Sequence, residues 1–346
     1  LLLARIAQAA GAGSVMGLSM VLTGRYIPFE RRGKAMAMIA SSAALAFGLG
    51  PVLGGIITEY LGWPYLFVVT GLSMLSLPLF LKWLPKERTE KGTFDVIGAL
   101  LTGLSVTGLI LYLSTFSIYL LLATVLLFIA WWFYLQHVDK PFIPPTLLKN
   151  KQYVKLLFIG GVAFFINFSN LFLMPLLLTT VFGKQPTATG LIIFPGAILA
   201  VVAGQFIGKW LDRYGTVPVL VSGQVFLLIA TLLFAWCSTI HSFFILFTYL
   251  FASVGFTAIT SSNSNEVTKI LPKAQIGSGV GVLQLMQFVG GALGVAISGL
   301  LLTVQEHRSP AVIYQNVYLS FTCLLVAAII VFVFYYRRMK RKTVVV

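Results

Sequence analysis

Charge is what this sequence of 346 residues has least of. Only 10% are Asp, Glu, Lys or Arg, and 58% are hydrophobic, whereas about a quarter of the residues of soluble domains are charged. No water-soluble surface can be assembled from that composition. Acidic residues number nine, and none lies in the middle of an apolar run. Asp95 and Asp139, at the ends of such runs, read as solvated. Two cysteines, Cys237 and Cys323, sit in apolar runs without ligand spacing and read as inert buried thiols. His137, His241 and His307 lie in loops far apart in sequence, which excludes a metal site by spacing. No cluster of His, Asp, Glu or Cys at membrane depth supports an intramembrane enzyme. Neither a filter loop nor a ring of charge points to a channel. The chain lacks an initiator Met, a basic n-region and a cleavage pattern, and opens as Leu1-Leu2-Leu3-Ala4. This excludes a signal peptide and leads to the expectation of a fragment or truncated reading frame.

What is present is long apolar runs. At about 30 residues per spanning helix and loop, the length leaves room for eleven or twelve. Hydropathy marks eleven, at roughly 1–24, 35–58, 64–84, 95–113, 117–136, 154–181, 187–211, 217–237, 242–264, 277–303 and 313–336. A β-barrel needs alternating strands of about ten residues, and runs such as 120–133 are apolar on every face. The fold class is therefore an all-α integral membrane protein. Of 24 basic residues, 21 fall after odd-numbered segments or in the tail 337–342, and only Lys184 and Arg308 lie on the other side. That split places the basic loops and the C-terminus in the cytoplasm. It also turns the net charge of +15 into a record of topology rather than a surface for nucleic acid. The basic tail could also bind anionic lipid. All six Trp lie near segment ends, as an interfacial belt requires.

An internal repeat runs at an offset of 244 residues. Pro28-x4-Gly33-x-Ala35 recurs as Pro272-x4-Gly277-x-Gly279, Gly50 and Gly55 recur as Gly294 and Gly299, and Gly11 recurs as Gly255. Eight segments separate the copies, so both have the same orientation, as parallel repeats of two-bundle secondary transporters do. If six helices make a bundle, segments six to eleven form the last one. The first segment is then a fourth helix, three helices are missing in front, and the complete protein has fourteen. The expected organisation is 1–84 as the remnant of an N-terminal bundle, 85–153 as two extra linker helices, and 154–346 as a C-terminal six-helix bundle with a basic tail.

Three motifs resemble those of the major facilitator superfamily, in particular its fourteen-helix drug:proton antiporter family, which includes the tetracycline exporters of Gram-positive bacteria. Arg5-x-x-Gln8-x-x-Gly11 resembles the family's fourth-helix motif, with Ala9 where a Gly is usual. Gly48-x-Gly50-Pro51-x-x-Gly54-Gly55 is similar to the antiporter motif of the fifth helix. Gly204-x-x-x-Gly208-x-x-x-Asp212-Arg213-x-Gly215 resembles the second-bundle copy of the family's cytoplasmic loop motif. Phe47 stands where tetracycline exporters of this type tend to carry Glu, which argues against tetracycline as substrate. The resemblance implies a two-bundle fold in the plasma membrane, a lone monomer exporting small lipophilic compounds, and no cofactor. Its energy source is a proton gradient, or a sodium gradient. A facilitator-superfamily importer or metabolite carrier remains open, separated from an exporter mainly by the Gly-Pro motif.

The same residues have physical readings of their own. A central Arg costs about 2.5–3.5 kcal/mol on insertion scales, so Arg5 is expected to face the bundle interior or a wet cavity, or else to snorkel to the interface. Gln8 is on the same face. Gly50, Gly54 and Gly55 strip side chains from one stripe, and Pro51 breaks a backbone bond in mid-helix. The resemblance puts this motif at the interface between bundles, with Gly290, Gly291, Gly294 and Gly299 as the second bundle's equivalent. Generic packing accounts for Gly13-x-x-x-Gly17. Asp212 and Arg213 could clamp neighbouring helix ends in one conformation and release them in the other. Asn167, Asn170, Gln205, Gln284 and Gln287 either line a central cavity or form interhelical hydrogen bonds worth about 0.6 kcal/mol each. Proton antiport needs a protonatable group. It lies upstream, as the family's first-helix Asp implies, or Glu59 or Glu266 lies deeper than hydropathy indicates.

Overall fold

The computed structural model describes residues 2–83, 94–139 and 141–343. Lys86, Arg88, Lys91 and Lys140 of the basic loops therefore lie outside the described residues. Among those described, eleven helical stretches are long and apolar enough to cross a membrane, and no strand occurs. In chain order the helices are α1 (Leu2–Tyr26), α2 (Arg32–Tyr60), α3 (Tyr65–Gly71), α4 (Leu77–Trp83), α5 (Val96–Thr115), α6 (Ile118–His137), the short α7 (Pro145–Lys149), α8 (Lys151–Thr180), α9 (Pro186–Tyr214), α10 (Thr216–Cys237), α11 (Ser242–Ile270), α12 (Ile276–Val304) and α13 (Pro310–Thr343). The expected third segment is not one helix. A 3₁₀ stretch, Leu72–Ser76, separates α3 from α4. Pro78 cannot donate to the carbonyl of Met74. Ser73 and Ser76 turn their hydroxyls onto the carbonyls of Thr70 and Ser73, which competes with regular helix.

The repeat survives as geometry. α1 ends at Tyr26 and α11 at Ile270; 3₁₀ turns follow at Phe29–Arg31 and Lys273–Gln275; α2 and α12 then run Arg32–Tyr60 and Ile276–Val304. Each of these boundaries matches its counterpart at the offset of 244. The two copies pack differently. α11 is enclosed by α8, α9, α10, α12 and α2, whereas α1 is largely exposed. Gly11, Gly13 and Gly17 face no neighbouring atom among the described residues, so the packing expected of Gly13 and Gly17 is not seen. The cysteine reading is also corrected: Cys237 is only partly buried and Cys323 is exposed. In a membrane helix an apolar run covers the outward face as well as the core, so apolar neighbours in sequence do not imply burial in protein.

α5 and α6 form a hairpin laid against α12. Asp95, expected to be solvated, is instead its fastener. Its Oδ1 accepts from Gly98 N at 2.8 Å and from the Tyr134 hydroxyl at 2.7 Å, and its Oδ2 accepts from Phe142 N at 2.8 Å. Burial by itself raises this carboxyl's pKa, but the three donors outweigh it and hold the group below the usual carboxylate range. A depressed folded pKa gives stabilisation that is present above the unfolded value, about 3.9, and lost as pH falls through the folded one. Asp95→Ala is expected to destabilise the hairpin at neutral pH by on the order of 1 kcal/mol after solvent screening. Thermal unfolding in detergent should show the gap from wild type closing as pH falls below the ordinary carboxylate range.

Candidate functional site

The longest contact in the molecule is between α2 and α9, which run antiparallel and touch along nearly their whole length. Small residues make it possible. A β-carbon on Gly208 would lie 2.8 Å from Lys34 Cα, one on Gly204 2.5 Å from Ser41 Cβ, and one on Gly190 2.7 Å from Val52 Cα. One on Gly48 would collide with Ala197 Cβ, and one on Gly55 would lie 2.8 Å from the Pro186 carbonyl oxygen. Lys34, Ser41, Gly48 and Gly55 recur every seven residues, as do Gly190, Ala197, Gly204 and Leu211. A seven-residue period keeps one seam facing the partner as two helices supercoil. In lipid, where apolar burial drives nothing between helices, such close backbone approach supplies the attraction.

Both ends of the seam are fastened by carboxylates. At the end carrying the basic loops, α2 starts at Arg32 with no side-chain cap of its own. The Asp212 carboxylate of α9 fills that role, accepting from Lys34 N at 3.2 Å and from the Gly33 amide. This satisfies first-turn donors and places negative charge at a helix N-terminus. The chain can turn from α9 into α10 directly behind Asp212 because Gly215 adopts φ +82°, ψ −179°, a conformation essentially reserved for glycine. At the opposite end, the Thr187 hydroxyl of α9 donates to Glu59 of α2 at 2.6 Å.

Midway, beside Gly48, Phe47 leaves α2 and enters an aromatic cluster. Its ring centroid is 5.4 Å from Phe168 of α8 and 6.4 Å from Phe256 of α11. Phe164 meets Phe256 at 5.1 Å and Phe288 of α12 at 5.9 Å, edge to face. Pro51 has no N–H to offer the Phe47 carbonyl, so the backbone is least restrained where this ring crosses to α8 and α11.

The expected site residues are only partly brought together. Gly48, Gly55, Gly204, Gly208 and Asp212 all join the seam, but Gly50 and Gly54 face nothing within 4 Å. Arg213 is exposed and lies over the Tyr214 ring at 5.2 Å, so Asp212 alone makes the clamp. Gly290, Gly291 and Gly294 do not form an equivalent surface between groups. They press α12 onto Gly161, Phe168 and Phe165 of α8, and a β-carbon on Gly299 would meet nothing within 4 Å among the described residues. Arg5 is exposed rather than interior. It donates to Gln8 at 2.9 Å and sits 4.6 Å from the Phe67 ring centroid, while Gln8 donates to Thr70. Asn167, Asn170, Gln284 and Gln287 are buried, whereas Gln205 is exposed. Among the described residues Asn167 Nδ2, Asn170 Oδ1 and both amide atoms of Gln287 have no hydrogen-bond partner.

One feature escaped hydropathy altogether. From Thr257 to Thr268, α11 carries Thr, Ser, Asn and Glu at nine of twelve positions, and every one of these side chains is buried. The signal was in the sequence as a polar run. It ended the expected segment at 264 because an average over a window cannot distinguish a polar helix interior from a loop.

Eleven apolar helices long enough to cross a membrane, a parallel internal repeat, a glycine-lined seam between two helices and buried amides are the build of a multi-pass membrane transporter. The chain belongs to the Major Facilitator Superfamily, whose model matches residues 1–138, 92–265 and 156–345. It is similar to the riboflavin transporter RibZ of Clostridioides difficile, 25% identical over 86% of this chain and 66% of that protein. It is similar also to the putative multidrug resistance protein MdtD of Yersinia enterocolitica, 25% identical over 89% of this chain and 68% of that one. The chain thus spans about two thirds of the length of the curated relatives it matches. In fold it is similar to the crystal structure of the human organic anion transporter MFSD10, with a TM-score of 0.58, 15% identity, and coverage of 90% of this chain and 67% of that one.

Proposed function

We propose that the chain belongs to a proton-coupled exporter of lipophilic, drug-like compounds that works by rocking two helix bundles about a central site. In this reading α8–α13 form the second bundle, α1–α4 belong to the first, and α5–α6 are the linker pair of a fourteen-helix protein. The basic end is cytoplasmic, the membrane is the plasma membrane, and the working unit is a monomer. The observation that carries the proposal is the α2–α9 seam. It presses Gly48 and Gly55 of the antiporter-like motif against α9 and sets Phe47 against aromatic rings of α8 and α11, which in this reading lie in the other bundle. Rings and buried amides suit bulky amphipathic compounds better than sugars or inorganic anions. Similarity to a protein named as a multidrug resistance protein supports the same direction.

A metabolite carrier is the second reading, favoured by similarity to a protein named as a riboflavin transporter. Accumulation of a panel of dyes and antibiotics in a host lacking its own pumps separates the two. Expression from the complete gene is expected to lower accumulation severalfold. Phe47→Ala, which deletes ring contacts worth about 0.5–1.5 kcal/mol each, should weaken export of aromatic compounds up to about tenfold. Unchanged accumulation across the panel, with stimulated movement of a flavin-like metabolite, would replace the exporter reading by the carrier one.

A further inference from the structure

Glu266 is the one charged residue among the described side chains that is buried, at 5% exposure, and it lies within the membrane-spanning stretch Ser242–Ile270. Its Oε1 accepts from the Tyr335 hydroxyl of α13 at 2.7 Å. Its Oε2 is 4.0 Å from the Lys269 ammonium of its own helix, and that ammonium donates at 2.8 Å to the Thr216 hydroxyl of α10. From α8, Gln152 reaches the Tyr335 carbonyl at 3.5 Å, and from α9 the Asp212 carboxylate interacts electrostatically with Lys269. An ionisable side chain inside a membrane helix is costly unless its charge is used. A neutral amide would hold Tyr335 equally well, so anchoring that hydroxyl does not account for a carboxylate here.

We propose that Glu266 is a proton-exchange site of the second bundle. The proposal rests on the proton-coupled reading given above and assigns it a residue. Uptake forms an Oε2–H bond with a proton delivered by water and neutralises the carboxylate; release reverses this. Tyr335 stays bonded in both states because its hydroxyl donates to Oε1 whether that oxygen belongs to a carboxylate or is the carbonyl of the neutral acid. Lys269 keeps its bond to Thr216 throughout. A polar route leads inward from the site. Asn263, one turn deeper on α11, donates to the Leu156 carbonyl at 2.9 Å and leaves its Oδ1 without a partner. Gly160 lets α8 pack directly against these amides: a β-carbon there would lie 2.5 Å from Asn263 Nδ2 and 3.3 Å from Gln287 Nε2. Among the described residues both Gln287 amide atoms are also without a partner, so buried polar atoms continue from Glu266 through Asn263 to α12.

The test uses the protein expressed from its complete gene, reconstituted in lipid vesicles, as wild type, Glu266→Gln and Tyr335→Phe. Infrared difference spectra across a pH titration are expected to show a carboxylic-acid band in wild type that E266Q removes. Proton-driven transport by E266Q should fall about tenfold or more, with gradient-free substrate exchange kept within about twofold. Y335F should shift the pH midpoint of driven transport while keeping it active. Persistence of the band in E266Q, or an unchanged pH profile of driven transport, overturns the proposal. Loss of gradient-free exchange together with driven transport in E266Q also overturns it, in favour of a structural role. If wild type shows the band without proton-driven transport, the exporter's energy source is wrong while Glu266 still takes up a proton. If wild type shows no band, Glu266 takes up none, whatever drives transport.

Discussion

Gly48→Leu is expected to reduce transport by the full-length protein to below about a tenth of wild type, the largest effect of any single substitution in the seam. A β-carbon at Gly48 already collides with Ala197 Cβ, and leucine adds three further carbons to a space that holds none. Overpacking of this kind costs about 1–3 kcal/mol when neighbours yield. Here they yield poorly, because Ala197 is itself fully buried on α9. The cost falls between the two helix groups and not within either one, so relative motion should suffer more than folding. Gly103→Leu on α5 is the control, since a β-carbon on Gly103 would meet nothing within 4 Å among the described residues, and its transport and expression should match wild type. A disulfide provides the complementary constraint. A β-carbon on Gly208 would lie 3.2 Å from Ala37 Cβ, close to the separation of about 3.8 Å in a disulfide. In a background with Cys237 and Cys323 replaced by serine, A37C/G208C should crosslink on oxidation and lose transport, and reductant should return it only to the level of G208C alone, whose β-carbon still lies 2.8 Å from Lys34 Cα. Full transport by the crosslinked protein would mean that α2 and α9 move as one body.

The contrast between Gly48 and Gly50 shows what the sequence could and could not reveal. Spacing alone identified a glycine-rich motif around a mid-helix proline. Which glycines meet a partner depends on the phase of α2 against α9, and the seven-residue recurrence that sets it is visible only when both helices are aligned. Segment number, the repeat and Asp212 were legible, because hydropathy, an exact offset and a Gly-x-x-x-Gly-x-x-x-Asp spacing are local patterns. The glycines of α12 misled, since a stripe of small residues allows close approach on that face without saying which helix approaches. Asp95 was misplaced, and Glu266 was left open between the edge and a deeper position, for a shared reason. Each lies at the end of an apolar run, where sequence alone favours solvation, and each is claimed by a tyrosine far along the chain: Tyr335 for Glu266 and Tyr134 for Asp95.

Asp212→Asn is expected to open the basic end of the protein. In the present arrangement the carboxylate accepts from the first-turn amides of α2. No other side chain caps that helix, so removal of the charge leaves an amide that accepts more weakly and no longer answers the helix dipole. A carboxylate at a helix N-terminus is worth about 0.3–1 kcal/mol, and up to about 2 kcal/mol where partly buried. Because Asp212 is more than a third exposed, screening holds the expected loss to about 0.3–1 kcal/mol, which shifts a two-state balance about 2–5-fold. The readout is Ser264→Cys on α11, a buried position whose hydroxyl lies 3.8 Å from the Met20 sulfur of α1. In the cysteine-free background, a membrane-impermeant maleimide supplied at the basic end should label S264C about 2–5 times faster when Asp212 is Asn. Asp212→Glu, which keeps the charge on a longer stem, should restore part of the protection. An unchanged labelling rate in D212N would show that the seam is held by glycine packing alone. The carboxylate would then finish the helix without controlling access to the buried polar half of α11, where Glu266 lies one turn from Lys269.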